Sequence, residues 1–443
     1  MNQIKLKKQY RPYPQYRDSG VEWLGMIPKN WEERKLKYIA QINKNTLTET
    51  TKAEFVMKYI DIGNVDHNGV KSCPESLEFQ NAPSRARRIV KKGNTIIGTV
   101  RTYLKALAFF HNPDTNLIVS TGFAVLEPTK KVADKFLYYC VLSESFIQHI
   151  SKWSSGVSYP AINPSDLGNL PICFPEIEKQ QRIIANLDEK TAIIDKIIEK
   201  KQKLIELLAE KQSALINLVV TRGIVENLEL KESGVEWIGK VPRNWKIDKL
   251  KRIGRSIIGL TYSPEDVVNE SGTLVLRSSN IQNGKILLKD NVYVSKKIPE
   301  KLKTRTGDIL ICSRNGSRAL IGKNACIDTQ SSGLSFGAFM TIFRSKYWRF
   351  LSYVFKSSMF NGQSESFLTS TINQLTIDNL NNMVVVLPDT LAEQEKIIEY
   401  LELETKKITY ASEEVEKSIG FLKEYKTSLI SSVITGKIKI MTQ

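Results

Sequence analysis

Seam positions, most of them apolar, recur at alternating steps of three and four residues in two long stretches of the chain. The first stretch places them at Ile184, Leu187, Thr191, Ile194, Ile198, Lys201, Ile205, Leu208, Gln212, Leu215 and Val219. The second places them at Ile398, Leu401, Thr405, Ile408, Ser412, Val415, Ile419, Leu422, Lys426, Leu429 and Val433, each 214 residues after its counterpart. Such spacing over more than three heptads is typical of a coiled coil.

We therefore predict two long helices, over residues 176–222 and 389–435, whose apolar seams pair with each other. Two unrelated surface helices would have no reason to share length, register and polar interruptions. The seam leaves the relative direction of the helices open, because Thr191 and Gln212 can face Thr405 and Lys426 in a parallel or an antiparallel match. Thr390 and Glu393 have the spacing of a capping box at the start of the second helix.

The same offset of 214 residues returns in a second motif. DSGVEWLGMIPKNW begins at Asp18, and ESGVEWIGKVPRNW begins at Glu232. The whole chain is therefore an internal duplication, and a repeat of this length indicates two domains. The repeated tryptophans could stack on bases, but we favour packing; they are Trp23, Trp31, Trp237 and Trp245. If the halves are related by a twofold axis, residues 18–39 should pack near the end of the second helix.

The stretches between the helices alternate short apolar runs with Gly, Asn and Pro, which predicts strands joined by turns. Examples are Tyr59–Ile62, Thr95–Val100, Leu107–Phe110, Phe123–Leu126, Leu274–Leu276, Gly307–Ile311 and Phe339–Phe343, with a tight turn at Asn68-Gly69. One helix is predicted from Ala133 to Ile150. We predict two α/β domains, 18–175 and 223–388, preceded by a poorly ordered basic arm (1–17) and followed by a tail (436–443).

The net charge of +17 is divided unevenly. Residues 1–175 carry 24 Lys and Arg against 15 Asp and Glu, and residues 223–388 carry 23 against 14, so each stretch has +9. The two helical stretches carry only +1 and −2. A polyanion that contacts both basic stretches is the expected partner.

Several classes of function lack their motifs. The five cysteines are scattered without a CxxC pair and the three histidines are far apart, which suits the cytoplasm and predicts no metal site. No signal peptide or membrane span is predicted. Asn163-Pro-Ser-Asp166 lacks the second proline and the aromatic residue of a methyltransferase motif, and the stretch from Gly316 to Asn324 does not match a P-loop. We expect a binding protein without catalytic residues.

The chain resembles the specificity subunit of type I restriction–modification systems. The resemblance covers residues 18–440 and depends on the paired GVEW openings, the helix entries after Pro175 and Pro388, and the helix ends VVTRG and VITGK. It implies two target-recognition domains, each reading one half of a bipartite DNA site with an unspecific spacer. It also implies that the helices form an antiparallel coiled coil that sets the spacer and docks two methyltransferase subunits. Two restriction subunits would join, and S-adenosylmethionine, ATP and Mg²⁺ would belong to these partners.

We predict that the divergent loops make the DNA contacts. The candidates for base contacts are Arg101, Tyr103, Lys105, Arg314, Asn315, Ser317, Arg318 and Lys323. Arginine can bridge guanine O6 and N7, and asparagine can pair with adenine. The candidates for phosphate contacts precede Gly93 and Gly307; they are Arg85, Arg87, Arg88, Lys301, Lys303 and Arg305.

Two other functions remain open at this point. The chain could be a coiled-coil scaffold that binds acidic partners without sequence-specific DNA recognition. A solitary nuclease or methyltransferase is disfavoured by the missing motifs. Exchanging residues 40–175 for another variable domain separates the first alternative from a DNA reader, since only a reader would change one half-site.

Overall fold

The computed structural model describes residues 10–67, 69–154, 160–225, 227–368 and 373–440. The chain forms two compact units. The first consists of Met1–Lys201 and Lys417–Gln443, and the second of Gln202–Glu416. Each unit therefore contains one part of each long helix, whereas the sequence pattern suggested the helices as segments of their own. The predicted turn at Asn68-Gly69 falls partly outside the described residues.

The first unit combines short strands with short helices. Its strands are β1 (Tyr10–Arg11), β2 (Tyr16–Asp18), β3 (Met26–Pro28), β4 (Glu32–Lys35), β5 (Ala40–Ile42), β6 (Val56–Ile60), β7 (Val65–Asp66), β8 (Gly69–Val70), β9 (Glu75–Glu78), β10 (Ala86–Ile89), β11 (Thr95–Gly98), β12 (Leu107–Phe109), β13 (Leu117–Ser120), β14 (Phe123–Pro128), β15 (Pro171–Phe174) and, near the C-terminus, β30 (Lys439–Ile440). Its short helices are α1 (Asp134–Leu142), α2 (Glu144–Trp153) and α3 (Pro164–Asn169).

The second unit repeats this composition. Its strands are β16 (Leu230–Glu232), β17 (Lys240–Pro242), β18 (Lys246–Lys249), β19 (Arg255–Ile258), β20 (Val267–Val268), β21 (Thr273–Leu276), β22 (Ile281–Gln282), β23 (Lys285–Ile286), β24 (Val292–Val294), β25 (Ile309–Cys312), β26 (Asn324–Cys326), β27 (Ser335–Phe336), β28 (Met340–Arg344) and β29 (Val384–Leu387). Its short helices are α5 (Leu250–Ile253), α6 (Trp348–Val354), α7 (Ser358–Ser366) and α8 (Ile377–Asn382). The long helices are α4 (Ile177–Arg222) and α9 (Leu391–Ile434).

Short 3-10 turns connect many of these elements. They lie at Leu36–Tyr38, Ile62–Asn64, Phe79–Asn81, Thr102–Leu104, Pro264–Asp266, Ser278–Asn280, Glu300–Leu302 and Arg318–Leu320.

The two units share the strand order of one sheet and the parallel pair of a second sheet, whose edge strands differ: β10 lies beyond β13 in the first unit and β20 lies beyond β24 in the second. An antiparallel sheet has the order β12-β11-β14-β5 in the first unit and β26-β25-β28-β19 in the second. A second sheet contains the parallel pair β6–β13 in the first unit and β21–β27 in the second. The alternating apolar residues of the two sheets pack against each other, as Ile60, Ile96 and Val119 do in the first unit. The duplication seen in the sequence is therefore a duplication of the fold.

The long helices pair with opposite directions. In the first unit, the Lys426 ammonium of α9 lies 2.7 Å from the Asp195 carboxylate of α4, so the late part of α9 meets the early part of α4. In the second unit, Val219 near the end of α4 shares a core with Ile398 and Leu401 near the start of α9. All of the predicted seam positions are buried or half-buried. The antiparallel coiled coil is confirmed.

Three polar seam positions have hydrogen-bond partners other than one another. The Thr191 hydroxyl donates to the Leu187 carbonyl at 2.7 Å, and the Thr405 hydroxyl donates to the Leu401 carbonyl at 2.6 Å. Each threonine thus satisfies its hydroxyl within its own helix, as threonine commonly does. Lys426 reaches Asp195, which is outside the seam. That polar seam residues face one another across the two helices stays a prediction.

The ends of the duplication meet inside the first unit, as the twofold hypothesis predicted. The Cys173 thiol faces the Ile434 carbonyl at 3.8 Å, and the Tyr16 hydroxyl donates to the Lys437 carbonyl at 3.1 Å. Trp31 and Trp245 are each almost fully buried, at 2% and 1% exposure, which confirms packing for these two. Trp245 also donates from Nε1 to the Glu393 carboxylate at 2.8 Å. At the start of α9 the Glu393 N–H donates to the Thr390 hydroxyl, so one arm of the predicted capping box forms.

Two local expectations are wrong. Residues 10–17 are not a poorly ordered arm, because β1 pairs with β30 and β2 pairs with β3; residues 1–9 lie outside the described part. The helix predicted from Ala133 to Ile150 is two helices, α1 and α2. Ser143 between them has an extended backbone (φ −62°, ψ 138°), and its hydroxyl donates to the Cys140 carbonyl. A serine that bonds to the preceding turn competes with helix continuation.

Gly436 at the end of α9 gives a test of this closure. Its φ is +71°, and a Cβ there would lie 2.4 Å from Pro28 Cδ. We expect Gly436→Ala to lower the free energy of unfolding by about 2–4 kcal/mol, since a left-handed backbone and a steric clash add together. Gly420, inside α9, has no atom within 4 Å of the position of a Cβ. Thermal melting of Gly420→Ala should show a gain of about 0.5–1 kcal/mol, and equal losses in both variants would contradict the closure.

Candidate nucleic-acid interface

Each unit brings three segments together at one edge of its two sheets. The first follows β6 or β21 and enters a 3-10 turn. There the backbone N–H of Asp61 or Arg277 donates to an asparagine side chain three residues later, Asn64 at 3.0 Å or Asn280 at 2.9 Å. Such Asx contacts fix the turn locally. Equivalent turns therefore present a carboxylate in the first unit and a guanidinium in the second.

The second and third segments are the loop after β11 or β25 and the bend before β14 or β28. In the first unit the Thr99 N–H donates to the Gly122 carbonyl at 2.8 Å, and Val100 bridges to Ala161. In the second unit the Arg314 N–H donates to the Phe339 carbonyl at 3.0 Å, and Arg314 bridges to Gln374. The frame is shared, while the side chains on it differ.

In the first unit three side chains at this edge, Tyr59, Asp61 and Arg85, are joined by hydrogen bonds. Arg85 Nη2 donates to Asp61 Oδ2 at 2.7 Å and Nε donates to the Tyr59 hydroxyl at 3.4 Å, while that hydroxyl donates to Asp61 Oδ1. The hydrogen bond with Tyr59, together with the charge of Asp61, raises the pKa of Arg85. Burial raises the pKa of Tyr59. The predicted phosphate ligand Arg85 is thus already engaged by a carboxylate, in an exposed pair that contributes little to stability.

The loop from Arg101 to Lys105 presents a mixed surface. Arg101 and Lys105 both adopt a left-handed backbone, at φ 53°, on either side of the 3-10 turn. Tyr103 and Leu104 project outward, at 56% and 48% exposure. Lys105 Nζ pairs with the Glu144 carboxylate of α2 at 2.7 Å. Tyr103 is therefore placed to contact a ligand, whereas the charge of Lys105 is partly neutralised.

In the second unit two of the predicted residues, Arg314 and Asn315, line an open cleft of about 740 Å³. The Arg314 guanidinium lies over the ring of Phe339, 5.2 Å from its centroid. Asn315 Nδ2 donates to the Ser278 hydroxyl at 3.2 Å, and Lys323 Nζ donates to the Ser278 carbonyl at 3.4 Å. The structure thus brings Arg314, Asn315 and Lys323 together. Ser317 and Arg318 are exposed on the same loop, outside the residues that line the cleft.

The remaining phosphate candidates lie elsewhere. Arg87 and Arg88 are on β10; Arg87 stacks over the ring of Phe79 at 4.8 Å, and Arg88 Nη1 donates to the Thr46 hydroxyl at 3.0 Å. Burial lowers the pKa of Arg88. Lys301 lies in the 3-10 turn at Glu300–Leu302, Lys303 and Arg305 follow it, and none of the three is among the residues that line the cleft. Lys303 pairs with Glu300 at 2.9 Å. Their contact with phosphates stays a prediction.

Sequence reasoning missed several residues at this edge, among them Asp61, Tyr59, Arg277 and Phe339. A signal for two of them was present. Asp61 and Arg277 each follow an apolar strand and each precede an asparagine by three residues, so the two turns could have been aligned. Phe339 had no such signal, because its equivalent in the first unit is a glycine.

Metal-binding clusters and membrane-spanning helices are both absent from the described residues. They hold no group of three or more His, Cys, Asp and Glu side chains that could bind a metal ion. Among the helices described, none combines the length and the apolar character needed to cross a membrane.

Known proteins resemble this chain in sequence and in fold. Residues 28–207 match the family model described as a type I restriction modification DNA specificity domain. The resemblance to type I specificity subunits is confirmed. The specificity subunit of the type I restriction enzyme EcoKI from Escherichia coli is 28% identical over 208 residues, which cover 45% of this chain and 44% of that protein. The chain thus matches about half the length of this relative.

Other comparisons extend over the whole chain. The putative specificity subunit of the type I restriction enzyme MjaX from Methanocaldococcus jannaschii is 23% identical over 438 residues, covering 95% of this chain and 96% of that protein. A chain solved in work on the assembly of a type I R-M system has a TM-score of 0.71 at 21% identity and covers 92% of this chain and 98% of its own. The HsdS subunit from Thermoanaerobacter tengcongensis has a TM-score of 0.50 at 20% identity, covering 93% of this chain and 98% of its own. Both solved chains share the fold described above.

Proposed function

We propose that this chain is the DNA-specificity subunit of a type I restriction–modification complex. Each unit supplies one recognition domain that reads one half of a bipartite site. The observation that carries the proposal is the repetition of one antiparallel sheet and one parallel strand pair with different side chains at equivalent positions, such as Asp61 and Arg277. A shared frame with divergent loops is what two readers of different short sequences require.

The charge distribution supports DNA as the ligand. The stretch before the first long helix and the stretch between the two long helices each carry an excess of nine positive charges, while the helices are nearly neutral. A basic excess confined to the recognition domains favours contact with a polyanion in these domains. The nearly neutral coiled coil has little electrostatic attraction for DNA. Sequence discrimination would then come from the loops, since phosphate contacts position the protein without reading bases.

The outer faces of the long helices support a protein-docking role. Off the seam, the first unit exposes Ile193, Ile197 and Phe421, and the second exposes Leu204, Leu207, Leu403 and Tyr410. Exposed apolar residues at helical spacing favour a partner surface. We assign these faces to the docking of methyltransferase subunits, two for each chain. S-adenosylmethionine would be bound by those methyltransferase subunits. Restriction subunits, with ATP and Mg²⁺, would join the same complex in the cytoplasm.

This proposal makes the chain itself non-catalytic. Purified alone it should methylate no DNA, and mixed with its methyltransferase subunit it should direct adenine methylation to one bipartite motif. Sequencing of methylated bases measures both results. Methylation by the chain alone would overturn the assignment, and so would DNA modification without sequence preference in the complex.

Exchange of one recognition domain sharpens the test. Replacing residues 40–175 with the corresponding domain of a related subunit should change one half of the methylated motif and leave the other half and the spacer unchanged. The unexchanged chain in the same complex is the matched control. A scaffold that binds acidic proteins would show no change in DNA behaviour, which would contradict the proposal.

A further inference from the structure

The cleft of the second unit has a chemistry that its counterpart in the first unit lacks. It is bordered by Arg277, Arg314 and Asn315 and by the rings of Tyr262 and Phe339. No Asp or Glu occurs among the described residues that line it. Two guanidinium groups in such a lining form a site for a ligand that presents acceptor atoms, because arginine can only donate.

Both guanidinium groups are held in place. Arg277 is half-buried, and its Nη2 donates to the Asp290 carbonyl at 3.1 Å. Arg314 is exposed but lies over Phe339, 5.2 Å from the ring centroid. Phe339 is itself 59% exposed, so its ring is accessible to a ligand. A fork that is ordered before binding loses less entropy when it meets a planar partner.

Asn315 is not well placed to choose adenine. Its Oδ1 accepts from the Ser317 N–H at 2.9 Å and its Nδ2 donates to the Ser278 hydroxyl at 3.2 Å. Bidentate reading of adenine needs both the amide oxygen and the amide nitrogen; each is engaged once, so Asn315 keeps one lone pair and one N–H in an orientation that these two contacts fix. The two arginines can only donate, and they favour guanine, whose O6 and N7 are both acceptors, over adenine.

The equivalent place in the first unit has the opposite chemistry. Strand pairing aligns Gly98 with Phe123 and Cys312 with Met340, so Gly122 occupies the place of Phe339. Asp61 occupies the place of Arg277 at the start of the turn. A carboxylate accepts from amino groups such as cytosine N4. The two units therefore differ in what they can read at matched positions.

We propose that the cleft of the second unit is a guanine-reading site, in which Arg314 donates to O6 and N7 of one guanine in the half-site, Arg277 supplies a second donor and Phe339 covers the edge of the base step. This proposal rests on the proposed function, since it names the base chemistry that the second recognition domain would select.

The test uses the complex of the full chain with its methyltransferase subunit and a DNA library randomised across the half-sites. The wild-type complex should require a guanine in the half-site that is retained when residues 40–175 are exchanged. Arg314→Lys keeps the charge and loses the fork, and we expect it to reduce the preference for that guanine by roughly tenfold to a hundredfold. Replacing the guanine with 7-deazaguanine, which lacks the N7 acceptor, should weaken the wild type and affect the Arg314→Lys complex little.

Arg255→Ala is the matched control, because Arg255 is an exposed arginine of β19 in the same unit, outside the cleft lining. It should leave the guanine preference unchanged. Phe339→Gly, which copies the first unit, should relax the preference without altering the other half-site. Thermal melting confirms that each variant is folded.

The outcomes are distinct. If Arg314→Lys weakens binding equally on all sequences, the cleft contacts the DNA backbone and base reading is overturned. The same holds if Arg314→Ala lowers the salt dependence of binding by about one phosphate contact. A wild-type half-site without a guanine that depends on Arg314 would overturn the inference alone. Absence of sequence-specific methylation by the wild-type complex would instead overturn the proposed function.

Discussion

Replacing Asp308 with alanine is expected to lower the free energy of unfolding of the second unit by about 3–5 kcal/mol. Asp308 is 1% exposed, and both carboxylate oxygens accept from Arg344, Oδ1 from Nε and Oδ2 from Nη2, each at 2.6 Å. Oδ2 also accepts from the Arg305 N–H at 2.7 Å. Removing the carboxylate leaves a largely buried guanidinium without its counter-charge, and such a loss costs far more than an exposed ion pair.

Hydrogen exchange resolved by segment measures this effect where it should occur. Protection should fall in β25 and β28 of the second unit, while β11 and β14 of the first unit should stay unchanged. Glu229→Ala is the control, because the Arg243–Glu229 pair is exposed on both sides, at 68% and 70%; its effect should stay within about 1 kcal/mol.

A double variant separates charge from shape at the same place. Asp308→Leu combined with Arg344→Met replaces the ion pair with apolar side chains, and such replacements are often neutral or stabilising. We expect it to recover most of the loss. If Asp308→Ala costs no more than Glu229→Ala, the buried pair is not a main support of the second unit.

The long helices were the part of the fold most accessible from the sequence. A seam period of 3.5 residues is a local pattern, so it survives in the sequence without any knowledge of the partner. Their direction was not accessible, because polar seam residues such as Thr191 can satisfy themselves within one helix. Only the family resemblance suggested the antiparallel match, and the Lys426–Asp195 contact now shows it.

The recognition edge was accessible only in part. Arg314 and Arg101 stood out because the loops diverge within a repeated frame. The cleft itself depends on the parallel pairing of β21 with β27, whose strands are about sixty residues apart. Pairing of this kind is set by tertiary packing and leaves no local period, so Arg277 and Phe339 could not be placed beside Arg314 beforehand.

The split of the predicted helix after α1 has a similar origin. Residues 133–150 carry a helical period throughout, but Ser143 is buried and bonds to the Cys140 carbonyl. The Glu144 N–H then donates to the Ser431 hydroxyl of α9 in the same unit at 3.0 Å. The helix break is therefore stabilised by a contact with a residue 287 positions away, and the local sequence pattern cannot predict such a contact.

Lengthening both long helices by one heptad is expected to move the two half-sites apart without changing either. Seven residues inserted after Lys201 and seven after Glu416, the two points where the chain passes between units, keep the seam in phase in each helix. The added rise is about 10 Å, which corresponds to about three base pairs at 3.4 Å each. Methylation of the original motif should therefore be lost, and a motif with a longer spacer should replace it.

Sequencing of methylated bases after expression with the methyltransferase subunit measures the new motif. Four residues inserted into α4 alone form the contrasting variant: because only one helix is lengthened, seam residues on one side of the insertion lose their partners on α9, and methylation should be abolished at every spacer length. The matched heptads should instead preserve thermal stability, since the added layers bury the same kinds of side chains. An unchanged spacer in the matched variant would show that the coiled coil docks partners but does not determine the distance between half-sites, and altered half-site bases would show that the helices take part in reading them.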